Sequence, residues 1–374
     1  MVQKLKRLKK GALDIINKKA GRQVAHSLMH DNPTQVKDWI PTGSRWLDSI
    51  ICKGQLAGVP VGKITEIAGL ESTGKSFMAA QIAAAAQSRG IDVVYFDSES
   101  AIDPSFLQRA GCDLDRLMYV QAESVEFVLE TIEELLTTGN KWLFVWDSLA
   151  LTPSISDVEG DFNPQSTMAV KPRILSKGMA KLTIPIADNE ATLLVLNQLK
   201  TNMAARNPAE LMTTPYFTPG GKAMAYAYSL RIWLTGRKAK ASFILDENGF
   251  RVGSEVKVKL EKSRFGTAGR TCNFKILWGD EDIGVQDEES WFDAIQISER
   301  LSQSGAWFTL TLNDGTTKKF QRKQWIERLK DEDFRQSVLT IIDDDVIMKF
   351  KNREGNAQDF YDSEEQDSSE GEES

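Results

Sequence analysis

Residues 69–76 read Gly-Leu-Glu-Ser-Thr-Gly-Lys-Ser, and two glycines with four residues between them, followed by Lys-Ser, can cradle phosphate. Gly69 and Gly74 let the backbone turn so that N–H groups around Leu70, Glu71, Ser72 and Thr73 converge on phosphate oxygens, at the positive end of the helix that follows. Lys75 would then reach the β and γ phosphates and Ser76 would offer its hydroxyl to Mg²⁺. Three more polar residues end apolar runs. Asp147 closes Trp-Leu-Phe-Val-Trp-Asp and would hold Mg²⁺ directly or through water. Glu99, after Tyr-Phe-Asp-Ser, would orient and deprotonate a water. Gln198, after Val-Leu-Asn, offers an amide that can sense a γ-phosphate.

These residues need a sheet to bring them to one edge. Strand-like runs lie at 64–68, 92–97, 142–147, 192–197, 229–235, 256–262 and 274–277, separated by helical spacing at 76–88, 125–136 and 171–187. Strands alternating with helices predict a mostly parallel sheet, with ligands at the strands' carboxyl ends. The first forty residues read as an appended helix with breaks, 5–20 and 24–29, ended by Asn32-Pro33. His26 and His30 fall on one helix face without a third metal ligand. Beyond about residue 283 a helix at 291–301, a hairpin of 307–312 and 317–320 around Asn313-Asp314-Gly315, and a helix at 324–329 predict a small α/β domain.

The net charge of −7 is unevenly placed. Residues 359–374 hold eight acidic groups and no Lys or Arg, so the rest of the chain sits near +1. The amino-terminal end is basic, from Lys4 to Arg22. An acidic tail beside basic surfaces can compete with a polyanion, which brings nucleic acid into view. Three scattered cysteines suggest neither a disulfide framework nor a zinc site, and no apolar run is long enough to span a membrane. The composition reads as a cytoplasmic protein, and residues from 354 onward as a disordered tail.

The order of the pieces resembles the bacterial RecA recombinases: the phosphate loop, Asp97-Ser98-Glu99-Ser100-Ala101-Ile102-Asp103-Pro104, Asp147-Ser148, Asn197-Gln198 and Gly220-Gly221-Lys222. Leu47-Asp48, Leu151-Thr152-Pro153, Val252-Gly253-Ser254-Glu255 and Gly305-Ala306-Trp307 follow the same order, so the resemblance spans roughly residues 40–305. Glu261-Lys262-Ser263-Arg264 looks more like the UvsX-type recombinases of bacteriophages, which points to a phage-encoded member in a host cytoplasm.

The resemblance implies an α/β, RecA-like P-loop ATPase core with a mostly parallel sheet at 41–282, a helical polymerisation arm at 1–40, a small α/β domain at 283–353 and an acidic tail at 354–374. It implies a DNA-dependent ATPase that forms a helical filament on single-stranded DNA and exchanges strands with duplex DNA, with ATP and Mg²⁺ as cofactors. A recombination mediator and single-strand-binding protein are implied partners. Glu99 would be the catalytic base and Gln198 the sensor. Asp103, Phe106 and, less directly, Trp278 would surround the adenine. Lys262 and Arg264 would enter the neighbouring subunit's ATP site.

Two DNA-binding loops would lie at about 160–170 and 199–219. Met168, with Arg173 and Ser176 on the following helix, belongs to the first; Lys200, Met203, Gly220, Gly221 and Lys222 belong to the second. Lys222 stands where the family has Asn, and Ala180 where a basic contact is usual, so Lys171, Lys177, Lys181 and Lys200 would make up the charge. Lys318, Lys319, Arg322 and Lys323 either collect duplex DNA or form a solvated face. The rival readings are a ring helicase on the same core and an ATP-gated scaffold without strand exchange.

Overall fold

A computed structural model describes residues 2–27, 32–160, 170–202, 215–236, 242–279 and 283–347. The chain divides into two compact units, Met1–Asp38 and Trp39–Ser374.

In the first unit a helix, Val2–Ala20, stops where Gly21 takes a φ of +67°. The Asn17 side chain then accepts the N–H groups of Val24 and Ala25, each at 2.8 Å, and donates to the Ala25 carbonyl at 3.1 Å. Those bonds replace helical ones, so residues 24–27 are not helical as expected. His26 therefore lies off any helix, and His30 is outside the described residues.

The second unit is built on a sheet of ten strands: β1 (Ile64–Gly69), β2 (Asp92–Asp97), β3 (Leu117–Gln121), β4 (Trp142–Asp147), β5 (Thr192–Gln198), β6 (Leu230–Thr235), β7 (Phe243–Leu245), β8 (Arg251–Ser263), β9 (Thr271–Leu277) and β10 (Gly284–Val285). Their order is β10-β9-β8-β6-β1-β5-β4-β2-β3, with β7 on β8. Pairings from β6 through β3 are parallel, and those of β7 to β10 are antiparallel. β1 and β4 are buried at every position, as continuous apolar runs covered on both faces must be. All seven expected strands form; β3, half-exposed and less apolar, is a further strand, paired parallel to β2, that its composition did not announce.

Helices α1 (Lys75–Ser88), α2 (Val125–Leu136), α3 (Val170–Asp188) and α4 (Gly221–Ala227) lie in the connections between strands. Against one face, Met78, Ala79, Ile82 and Ala83 of α1 share a core with Ile67, Tyr95, Val145 and Leu196. The alanines of α1 lack bulk, so its axis can sit close to the sheet. Against the other face, Val128 and Ile132 of α2 and Leu175, Met179 and Leu182 of α3 meet Val94, Phe144, Trp146 and Val195. The strict alternation of Val145 and Trp146 between the two cores is the period-two signature of a strand.

The carboxyl-terminal part carries an antiparallel three-stranded sheet, Leu301–Ser304, Trp307–Thr311 and Thr317–Gln321. Phe292, Phe308, Phe320, Trp325 and Phe334 pack ring against ring over it, at centroid distances of 4.9 to 6.4 Å. The hairpin is where the Asp-Gly signal put it. The helix expected at 291–301 starts earlier, at Asp287, and ends at Ala294 with a 3-10 turn to Ile297. Leu301, the expected helix end, instead opens the strand Leu301–Ser304, whose backbone pairs with residues 307–310. The helix Glu332–Ile341, capped by the Asp331 side chain on the Phe334 N–H, was not expected. Residues 354–374 lie outside the described residues.

Candidate nucleotide site

The phosphate loop joins β1 to α1 as its spacing predicts. Gly74 adopts a φ of +82°, and a Cβ there would sit 2.5 Å from Ile276 Cδ1, so only glycine fits. At Gly69 a Cβ would meet Thr73 Oγ1 at 2.5 Å, which forbids a side chain where the loop folds back on itself. Thr73 donates to the Leu70 carbonyl at 2.8 Å and Lys75 Nζ to the same carbonyl at 3.1 Å. Burial draws the Lys75 ammonium below its ordinary value, while Asp147, Glu99 and Glu71 push it back up.

Four strand ends converge on this loop. Ser76 Oγ donates to Asp147 Oδ2 at 2.8 Å, and Tyr95 OH, from β2, donates to the same oxygen at 2.9 Å. Burial raises the Asp147 carboxyl above the usual range, against the opposing effect of those two hydrogen bonds. Glu99 Oε1 accepts from Ser148 Oγ at 3.3 Å. Asp97 holds that turn: its carboxylate accepts the N–H groups of Glu99, Ala101 and Ile102 at 2.8, 3.0 and 3.2 Å. Gln198 lies directly across from Gly69 in the β1–β5 pairing, and the Leu199 N–H reaches the Gly69 carbonyl at 3.0 Å.

A cavity of about 530 Å³ opens beside the loop, lined by Ser72 to Phe77, Phe106, Arg109, Arg251 and Trp278. Phe106 packs edge-on against Phe77 at 4.5 Å. Arg251 lies over the Phe243 ring at 4.0 Å and the Trp278 ring at 5.1 Å. Asp103 does not line the cavity; it caps the short helix Pro104–Arg109 by accepting from Ser105. Tyr95, Asp97, Arg109 and Arg251 were missed from sequence. Two of them had a signal: Asp97 closes an apolar strand, and Tyr95 is an odd polar tip on that strand two residues earlier.

The donor set suits a magnesium nucleotide: a hydroxyl and a carboxylate already share one hydrogen bond, an ammonium stands beside them, and the loop has no room for a side chain at Gly69 or Gly74. In the site Ser76 and Asp147 would hold the cation.

The remaining candidates divide. Lys262 and Arg264 sit at the opposite end of the sheet, because β8 runs antiparallel to β6. There Lys262 Nζ donates to the Ala225 and Tyr226 carbonyls at 2.7 and 3.1 Å, and Arg264 to Tyr226 at 2.9 Å, closing the end of α4. Arg173 and Ser176 are exposed on α3, one turn apart. Lys200 and Lys222 are exposed, Lys200 on a two-residue strand paired with Tyr216–Phe217 and Lys222 in the first turn of α4. Gly220 and Gly221, at φ of +106° and +78°, start α4. Met168 and Met203 lie outside the described residues. Lys171, expected to add charge for DNA, instead places its ammonium on three backbone carbonyls.

Among the described residues no helix is long and apolar enough to cross a membrane. A family model described as the RecA N-terminal domain matches residues 6–283. The chain is 32% identical over 305 residues to Protein RecA of Bifidobacterium breve, covering 80% of this chain and 73% of that protein. It is 31% identical over 322 residues to Protein RecA of Chlorobaculum tepidum, covering 86% and 87%. With Protein RecA of Aquifex aeolicus the identity is 29% over 301 residues, covering 80% and 81%. The chain therefore belongs to the RecA family, the DNA-dependent ATPases that carry out ATP-dependent homologous recombination and strand exchange.

Proposed function

We propose that this chain assembles into a helical filament on single-stranded DNA, with each ATP held between neighbouring protomers, and pairs that strand with a homologous duplex. The observation that supports this reading is the separation of two sets of groups. Lys75, Ser76, Asp147, Glu99 and Gln198 gather at one end of the sheet, whereas Lys262 and Arg264 stand at the other. Cations so placed serve a neighbour's site when subunits stack head to tail, and a heterologous contact that does not close builds a helix.

Within this reading Lys75 binds the β and γ phosphates, and Ser76 with Asp147 holds Mg²⁺. The cation, when bound, draws charge from the phosphate oxygens and favours displacement there. Glu99 accepts the proton of the attacking water. Phe106 and Trp278 flank the base, each offering a π face, and Asp103 orients the turn before Phe106. Gln198 reports the γ-phosphate to the segment that starts at Lys200 and returns at Gly220-Gly221. Arg173, Ser176, Lys200 and Lys222 contact DNA, together with Met168 and Met203. Contacts to phosphates set grip without reading sequence, so little sequence preference is expected.

Residues 1–40 act as the polymerisation arm, 41–282 as the ATPase core, 283–353 as a duplex-collecting domain and 354–374 as an acidic competitor for DNA. The Glu261-Lys262-Ser263-Arg264 segment supports a phage-encoded, UvsX-like member acting in its host's cytoplasm with a mediator and a single-strand-binding protein. Electron microscopy of the full chain with single-stranded DNA and a slowly hydrolysed ATP analogue tests the reading: a helical filament is expected, and a closed ring or free protomers would sink it.

A further inference from the structure

We propose that Lys171 is a positioning residue that ties the turn after Asp147 to the helix presenting Arg173 and Ser176, so that events at the ATP site and at DNA are coupled through it. The proposal rests on the DNA-binding role assigned above to α3. Lys171 Nζ donates to the carbonyls of Leu149, Ala150 and Thr152 at 2.8, 3.1 and 2.6 Å. An ammonium has three N–H donors and no acceptor, so three converging carbonyls satisfy it completely.

The turn it grips is wired to the nucleotide side. Ser148 donates to Glu99 at 3.3 Å, Ser98 donates to the Ser148 carbonyl at 3.0 Å, and Thr152 Oγ1 donates to that same carbonyl at 2.9 Å. Trp146, one residue before Asp147, donates its indole N–H to Thr152 Oγ1 at 2.8 Å. The Leu149 N–H reaches the Leu196 carbonyl of β5 at 3.1 Å, two residues before Gln198. Gly220 lies against this turn as well: a Cβ there would come within 3.2 Å of Leu149 Cδ2. The turn thus meets Glu99, the strand of Gln198, and the start of α4.

On the other side Lys171 occupies the first turn of α3, and Arg173, Ser176 and Lys177 are exposed along the same helix. A shift of residues 149–152 would drag the carbonyls and, through one side chain, the helix end. Loss of the ammonium would leave those carbonyls without this donor and let the helix move independently.

ATP hydrolysis by full-length wild type, Lys171→Met, Lys171→Arg and Lys177→Met is followed while a single-stranded oligothymidylate is titrated. Each protein's rate with DNA is divided by its own rate without, which cancels differences in folded fraction. The plateau stimulation of Lys171→Met is expected to fall by about fivefold or more, the lower range of coupling between sites. Lys171→Arg keeps the charge but presents a planar fork, so its plateau falls too, and it carries the test if the methionine variant does not fold. Lys177→Met removes an exposed charge, so it raises the half-saturating DNA concentration and still reaches the wild-type plateau. Lys171 variants that reach the wild-type plateau, or an equal plateau loss in Lys177→Met, overturn the proposal alone. A wild type that DNA does not stimulate removes the functional reading and this proposal with it.

Discussion

Asp147 and Asp48 are both buried carboxylates of this core, and they have opposite fates. Asp147 sits at the end of β4 beside a cavity, with a hydroxyl, a phenol and an ammonium around it. Asp48 sits in the helix Arg45–Ile51, where Thr42 gives it a hydroxyl at 2.7 Å and a backbone N–H at 3.2 Å. Burial pushes the Asp48 carboxyl up to about 8, helped by the nearby Asp287, which burial itself raises to about 6. Arg45 offers its backbone N–H to Asp287 and its guanidinium to Asp343, so this cluster fastens the carboxyl-terminal part to the core. The difference lies in the partners. Ser76 can exchange its hydrogen bond for a cation, and the adjoining cavity admits one; Thr42 is fully buried and its hydrogen bonds favour the charged Asp48, so it is burial that keeps the proton on that carboxyl. Burial alone does not make a carboxylate catalytic.

If the cavity edge does the chemistry, Glu99→Gln should bind ATP and lose about 10²–10⁴-fold in turnover, the usual contribution of a positioned base. Separate measurements of nucleotide binding and phosphate release check this, and full turnover would remove the role given to Glu99. Asp147→Asn should lose about 10²-fold or more in turnover, with weakened Mg²⁺ dependence seen in a metal titration. The same change at Asp48 should spare turnover and act on stability instead. A raised carboxyl pKa means the folded state holds a proton that the unfolded chain has released. Stability therefore falls as pH rises from about 4 towards 8, by up to about 1.4 kcal/mol per pH unit for one group.

Asp48→Asn should flatten that slope, which denaturant unfolding at about pH 5 and about pH 8 would reveal. An unchanged slope would mean that Asp48 is not the group responsible. Smallest in effect, Tyr95→Phe removes one of the two hydrogen bonds on Asp147 and should cost about 1–2 kcal/mol of stability. Its effect on turnover should be slighter than that of Glu99→Gln; thermal unfolding and an ATPase assay together distinguish the two.

Much of the site was readable because its pieces are local. A Gly-rich loop followed by Lys-Ser, and polar residues closing apolar strands, announce themselves over a few neighbouring positions. The seven strands were legible for a similar reason: the five buried parallel ones are largely continuous apolar runs, and the antiparallel β8 and β9 alternate buried with exposed positions. β3 escaped because its Leu-Met-Tyr-Val-Gln is half-exposed at the sheet's edge. Residues 24–27, expected to be helical, are not, because the Asn17 side chain takes the N–H groups of Val24 and Ala25. Leu301 read as the end of a helix, but it opens a strand whose backbone bonds to a partner strand.

Lys171 shows the limit most plainly. In sequence it is one lysine among several near a loop, and its charge suggests solvent or phosphate. Only the fold brings the carbonyls of Leu149, Ala150 and Thr152 around it, some twenty residues away. The chain's order alone settled the phosphate loop, the carboxylates at strand ends and the α/β class, since those depend on short-range spacing and burial pattern. The three-dimensional packing decided which of those charges face a cavity, which seal a joint, and that Lys262 and Arg264 stand at the far end of the sheet. Such contacts depend on where strand direction and crossovers deliver distant segments, and no local spacing carries that information.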